Sequence, residues 1–174
     1  MNLLPSIGVI QAPEPSTYLL TPFQDGVKTY LAFLAQAQKS IRMMIYSFTL
    51  AQATDDLIAA KGRGLDIGCI FDYSQSRGKY EKAQLQRLVD AGFVDGKDFV
   101  VGTSPKSHAI CHLKAAWIDG THVLSGSWNF SNSATSEYND ICITTSPELA
   151  AAYQRAYDFG WQWILSNEKA YQTL

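Results

Sequence analysis

Cysteine is scarce in this chain of 174 residues. Cys69, Cys111 and Cys142 are odd in number and lie far apart in strand-like apolar runs, which excludes a disulfide framework and suits buried, reduced thiols. Charge of one sign is scarce too. A formal charge of -2 and a pI near 5.9 give no global electrostatic signature of nucleic-acid binding. No apolar run approaches the roughly 18 residues of a membrane span. The first basic residue is Lys28, so the start carries no positive secretory region. The expectation is a soluble, cytoplasmic protein without stable membrane association. Neither repeats nor low-complexity tracts occur, and 47% apolar with 17% charged residues marks a globular chain. The length suits one hydrophobic core rather than two, hence one domain over 1–174, with a proline-bearing arm at 1–16.

What charge there is sits unevenly. Ser74 to Lys114 holds seven basic and four acidic residues, while the rest of the chain holds seven basic and twelve acidic ones. A polyanion would therefore meet the middle of the chain.

The first half alternates strands with helices. "TYLLTPF" reads as a short strand, and apolar positions Val27, Tyr30, Leu31, Leu34 and Ala37 recur at helical spacing from Asp25 to Gln38. "SIRMMIYSF" has the near-continuous apolar character of a strand covered on both faces. A helix from Gln52 to Ala60, the strand "LDIGCIFD", the loop "YSQSRG", a helix carrying Leu85, Leu88 and Val89, and the strand "KDFVVG" follow. This predicts an α/β fold whose mixed, mostly parallel β-sheet is sandwiched between helices. The second half changes rhythm: "AICHLKAAWID", a tight turn, "HVLSGSWNF" and then "NDICITT" read as hairpin strands. Pro147 opens a long last helix with Leu149, Tyr153, Ala156, Gly160 and Ile164 on one face and Trp161 and Trp163 beside it. That stripe is most simply core, with a subunit contact as the alternative.

Residues two apart on a strand share a face, so His112 and Lys114 project together. Asp119 ends that strand, and the returning chain brings Ser127, Asn129 and Glu137 toward the same hairpin mouth. A lone strand histidine is usually a surface or hydrogen-bonded residue, and His108 and His122 read as loop and turn residues. A metal site of His108, Cys111 and His112 fails because neighbouring strand residues face opposite ways, whereas zinc needs convergent ligands.

The complete string is His112, Lys114, Asp119, Gly126, Ser127 and Asn129, followed by Glu137-x-Asn139, with "LLTPF", "AQKSIRMMIYSFT" and "AAKGRGLDIGCIFD" upstream. It resembles the phospholipase D superfamily, and within it the short, single-motif, bacterial endonuclease-like members, over roughly residues 18 to 165. The resemblance implies the phospholipase D-like fold. It also implies two histidines per site, one forming a phosphohistidine and the other protonating the leaving oxygen, then activating water. It makes Asp119 a buried structural partner and Gly126 part of the motif.

The chemistry suits these residues. A phosphodiester is anionic, and Lys114, Asn129 and Ser127 are donors for its non-bridging oxygens, worth most where charge grows in the transition state. No metal and no cofactor are then required. Histidine titrates around ~6.5 when unperturbed, so imidazole serves as nucleophile and imidazolium as acid near neutrality. Glu137 is the candidate partner for the second ring nitrogen of His112. One motif per chain calls for a homodimer in which a twofold axis brings two copies of His112, Lys114 and Asn129 together.

Nucleic acid, DNA or RNA, is the expected substrate, with Arg77 and Lys79 in the loop after "LDIGCIFD" and Lys106 before the catalytic strand as phosphate contacts. Trp128 should face away from the site, as core. A phospholipase or phosphatidyl transferase is the runner-up. It would favour an exposed apolar rim, which the sequence does not display. A catalytically silent binding homologue is a third class, opposed by the intact motif.

Overall fold

The computed structural model describes residues 16–106 and 109–167. The N-terminal arm, apart from Ser16, lies outside the described residues, as does His108.

β1 (Ser16–Thr21) leads into α1 (Gly26–Leu34), whose first turn is capped by the Asp25 carboxylate accepting from the Lys28 N–H at 2.9 Å. β2 (Ser40–Ile45), α2 (Ala51–Gly62) and β3 (Asp66–Asp72) form a strand–helix–strand unit with parallel strands. A one-turn α3 (Tyr73–Ser76) occupies the segment expected to be a loop, because Asp72 caps the N–H groups of Ser74 and Gln75. α4 (Lys79–Asp90) and β4 (Phe99–Gly102) follow, then β5 (Lys114–Ile118), β6 (His122–Gly126), β7 (Asn139–Thr145) and α5 (Pro147–Ser166).

Seven strands make one sheet in the order β1-β7-β6-β5-β2-β3-β4. β2, β3 and β4 run parallel, but the other four pairings are antiparallel, which corrects the expected mostly parallel sheet to a mixed, mostly antiparallel one. The alternation of the first half holds for three strands. Beyond β4 the chain crosses back without a helix between strands, lays β5 antiparallel to β2, and continues as hairpins. Adjacent antiparallel strands need only short turns, whereas each parallel pair needs a crossover helix.

The sandwich itself is present. α1, α2 and α4 cover one face through Tyr30, Phe33, Leu57, Leu85 and Leu88, packed on Ile41, Met43, Ile45 and Phe71. α5 covers the other through Ala150, Tyr157 and Ile164 on Ile70, Val100, Trp117 and Val123, while Leu149, Tyr153, Trp161 and Trp163 pack against this cluster and stay half-buried. β2 buries alternate residues, and Arg42 on the α5 side is half-buried, stacked over Tyr157 and paired with Asp66.

α1 ends four residues before the expected Gln38 for a tertiary reason. The N–H groups of Gln38, Lys39 and Ser40 donate to the Asp119 carboxylate at 3.0, 2.8 and 2.9 Å instead of extending the helix. Asp119 sits at the β5–β6 turn with φ 54°, half-buried rather than fully buried as expected. Burial would raise its pKa, but the three backbone donors outweigh that and hold the carboxyl below its usual range. Its role is structural, at the end of β5 away from His112.

Candidate active site

The ends of several strands meet beside the start of β5. His112 precedes β5, Lys114 opens it, Gly126 closes β6, Ser127 and Asn129 lie in the loop after β6, and Asp140 is the second residue of β7. These six line an open, polar cleft of about 520 Å³. The fold thus brings His112, Lys114, Gly126, Ser127 and Asn129 together with Asp140, while Asp119 stands at the other end of β5.

His112 lies just outside the strand ladder, with its ring exposed and packed edge-on against Tyr46 at 4.6 Å between centroids. Lys114 is buried, and its ammonium lies 4.7 Å from the Tyr46 ring centroid while donating to the His112 carbonyl at 2.8 Å. Desolvation pulls its pKa down, opposed by Cys111 and the Asp72 carboxylate. One of three ammonium N–H groups is committed to the His112 carbonyl, leaving the others for a substrate oxygen. Tyr46 therefore braces both motif side chains, and its hydroxyl accepts from Gln75 of α3 at 3.0 Å. Sequence reasoning placed Tyr46 only in a strand. The available signal was its position where the apolar run of β2 gives way to polar residues, the end at which α/β sheets place ligands.

The loop after β6 alternates. Trp128 and Phe130 turn inward against Tyr30, as expected of Trp128, so that Asn129 between them turns toward the cleft. The Phe130 carbonyl accepts from the N–H groups of Thr49 and Leu50, both at 2.9 Å, pinning this loop to the segment just before α2. Asn129 Oδ1 is buried without a hydrogen-bond partner among the described residues.

Ser127 and Asp140 hold each other reciprocally. The Ser127 N–H donates to the Asp140 carboxylate at 3.0 Å, and the Asp140 N–H donates to Ser127 Oγ at 3.0 Å. Because Oγ already accepts, its proton is available to a bound anion. Only glycine fits at 126: a Cβ there would stand 2.2 Å from the Asp140 carbonyl oxygen.

Glu137, the candidate partner of His112, is not among the residues lining the cleft. The short turn Ser133–Thr135 displaces it, and its carbonyl accepts from the Thr21 hydroxyl at 2.8 Å while the residue stays exposed. The carboxylate that β6–β7 register returns to the cleft is that of Asp140. No hydrogen bond between His112 and either acid occurs among the described residues.

Asp72, fully buried, accepts from the Cys111 N–H at 2.7 Å and so fixes the approach to His112. Burial pushes the thiols of Cys69 and Cys111 up to about 12, which leaves them unreactive. Arg77 and Lys79 are exposed at the ends of α3 and α4, on the side to which Gln75 links Tyr46, and Arg77 donates to the Tyr73 hydroxyl at 2.5 Å. Lys106 is exposed in the segment between β4 and β5. None of the three lines the cleft itself. His122, in β6, is held by the Thr145 hydroxyl at 2.9 Å.

A mixed sheet with a histidine, a buried lysine, a serine and an asparagine gathered at one end of its central hairpin defines a class. The family model described as "Cardiolipin synthase, PLD-like domain" matches residues 30–161. The chain belongs to the phospholipase D superfamily of phosphodiesterases. It is 33% identical over 121 residues to a phospholipase D of Rickettsia felis, covering 68% of this chain and 55% of that one. A mitochondrial cardiolipin hydrolase of Xenopus tropicalis is 29% identical over 135 residues, covering 76% of this chain and 59% of that one. The chain thus spans less than two thirds of these curated relatives. The crystal structure of Nuc from Salmonella typhimurium, a phospholipase D family member, superposes with a TM-score of 0.74 at 26% identity, covering 86% of this chain and 95% of that one.

Proposed function

We propose that the protein is a metal-independent phosphodiesterase, a non-specific endonuclease working through a phosphohistidine at a site completed by a second copy of the chain. The carrying observation is the cleft: one histidine beside three kinds of phosphate donor, Lys114, Ser127 and Asn129, in an open polar setting. A ring nitrogen of His112 attacks phosphorus, the bond to the leaving oxygen breaks, and that oxygen takes a proton from the imidazolium of the second copy's His112. The same imidazole, now neutral, then takes a proton from water, which attacks phosphorus. The P–N bond breaks and frees His112 and a phosphate monoester. Lys114, Ser127 and Asn129 offset the charge gathering on the non-bridging oxygens, the task a divalent cation performs elsewhere. The described residues place only one histidine in the cleft, which is why a symmetric partner is required.

Nucleic acid is favoured because the cleft is open and polar and because Arg77, Lys79 and Lys106, outside it, are exposed and free to meet a polyanion. A phospholipid reading has its own observation: an apolar cavity of about 270 Å³, lined by Met44, Ile70, Leu113, Phe159 and Ile164, shares His112 with the cleft. No described helix is long and apolar enough to cross a membrane. Single-stranded DNA, duplex DNA, RNA and cardiolipin vesicles, assayed side by side in EDTA, decide between them. Metal-free cleavage of nucleic acid is expected. Turnover confined to the vesicles would replace the nuclease reading, and strict magnesium dependence would overturn the metal-free site.

A further inference from the structure

Two of the most exposed large side chains in the molecule stand together. Phe23, after β1, is 75% exposed and Tyr138, before β7, is 84% exposed, yet their ring centroids lie 6.0 Å apart at 35°. Their segments are tied: the buried Thr21 hydroxyl donates to the Glu137 carbonyl at 2.8 Å, joining the end of β1 to the residue preceding Tyr138. The pair is therefore pre-positioned. Large apolar groups held open to water in this way carry information that scattered ones do not.

The rings border a hollow of about 250 Å³ that Leu20, Ser127, Asn139 and Asp140 also line. Ser127 and Asp140 also line the catalytic cleft, so hollow and cleft adjoin at these two residues. We infer that Phe23 and Tyr138 form a stacking platform for an unpaired nucleobase next to the scissile phosphate, an inference that rests on the nuclease reading above.

Charge selects that occupant. Asp140 in the hollow and the exposed Glu137 beside it repel phosphate, so the neutral part of a nucleotide enters while its phosphate stays with Lys114. An alkyl chain would desolvate the polar wall of Ser127, Asn139 and Asp140, whereas a heterocycle offers ring faces to the aromatics and polar edges to that wall. The same acids disfavour an anionic membrane surface. A base in a duplex has its faces already stacked, so the platform takes single strands.

The test uses the full chain and a single-stranded oligonucleotide with 2-aminopurine beside the cleaved linkage. Wild-type protein should quench the 2-aminopurine on binding, and the Phe23→Ser/Tyr138→Ser double variant should not. With ordinary single strands the double variant should raise KM about tenfold or more, from the worth of one stacked base. An oligomer abasic at that nucleotide should show the raised KM already with wild type and no further rise with the variant. Quenching and KM unchanged in the variant would overturn the platform while leaving the nuclease reading standing. A wild type that cleaves no oligonucleotide at all would sink both. Conversion of the variant to a monomer by light scattering, or its selective loss of binding to cardiolipin vesicles, would overturn the platform by assigning the rings to a subunit or membrane contact.

Discussion

At the scale of single residues, Tyr46 ties the motif together, because its ring touches His112 on one side and the Lys114 ammonium on the other. Its removal leaves both reactive groups chemically intact but unbraced, and misplacement of this kind costs about 10²-fold. Tyr46→Ala should therefore lower kcat by that order, while Tyr46→Phe, which keeps the ring and loses only the Gln75 bond, should stay within about threefold; steady-state kinetics on single-stranded DNA checks both. His112→Ala should abolish turnover with an unchanged far-UV spectrum, and wild-type activity in that variant would remove it from the reaction. The two acids should separate as well. Asp140→Asn alters the group that holds Ser127 and should cost roughly 10- to 100-fold in kcat, whereas Glu137→Gln, outside the cleft, should leave turnover near wild type.

At the scale of elements, one carboxylate anchors the far end of β5 and another anchors the segment that follows β2. Asp119 at the far end holds the N–H groups of Gln38, Lys39 and Ser40, so Asp119→Ala should lower stability by about 1–3 kcal/mol in urea unfolding and leave kcat unchanged. Glu81, in the first turn of α4, behaves in the opposite sense. It is buried and accepts from the Phe48 N–H at 2.7 Å, while its other oxygen has no partner among the described residues. Burial lifts its carboxyl from 4.5 to about 8, the Phe48 N–H pulls it down, and the Asp72 charge adds to the rise. Between those pH values the folded chain keeps a proton that the unfolded chain releases. Glu81's contribution is therefore full below about 4.5 and declines as pH climbs to about 8. Urea midpoints measured across that range should fall for wild type and flatten in Glu81→Gln.

At the scale of the whole molecule, the proposed reaction needs two imidazoles and the described cleft holds one. The protein should scatter light as a dimer, and its specific activity should fall on dilution below the dimer dissociation constant. A fully active monomer would refute the shared site. An isologous contact places the same patch on both partners, so any substitution that weakens it acts twice.

Legibility followed the range of the interactions. Helix α5 was readable because its proline start and its apolar stripe are local to residues 147–164; the structure adds the cap, the Ser146 hydroxyl accepting from the Leu149 N–H at 3.1 Å. The motif residues from His112 to Asn129 were readable because one hairpin carries them. The course of the chain to Glu137 was not readable, because the Ser133–Thr135 turn interrupts it and the Thr21 hydroxyl holds the Glu137 carbonyl from far along the chain. Tyr46 and Asp72 escaped because their partners lie on β5 and the segment before it, far along the chain. The end of α1 was misjudged because a carboxylate some eighty residues away competes for its backbone donors.

What the amino-acid order determined by itself was the inventory: buried strands, amphipathic helices, and a histidine, lysine, serine and asparagine held to one hairpin by period-two geometry. Tertiary structure alone decided that β1 pairs antiparallel with β7 and β2 with β5, that Asp140 lines the cleft, and that Phe23 and Tyr138 meet in the open. Periodicity reports which face a residue shares with its near neighbours. Which strand lies alongside, and in what register, depends on contacts between segments that no local pattern encodes.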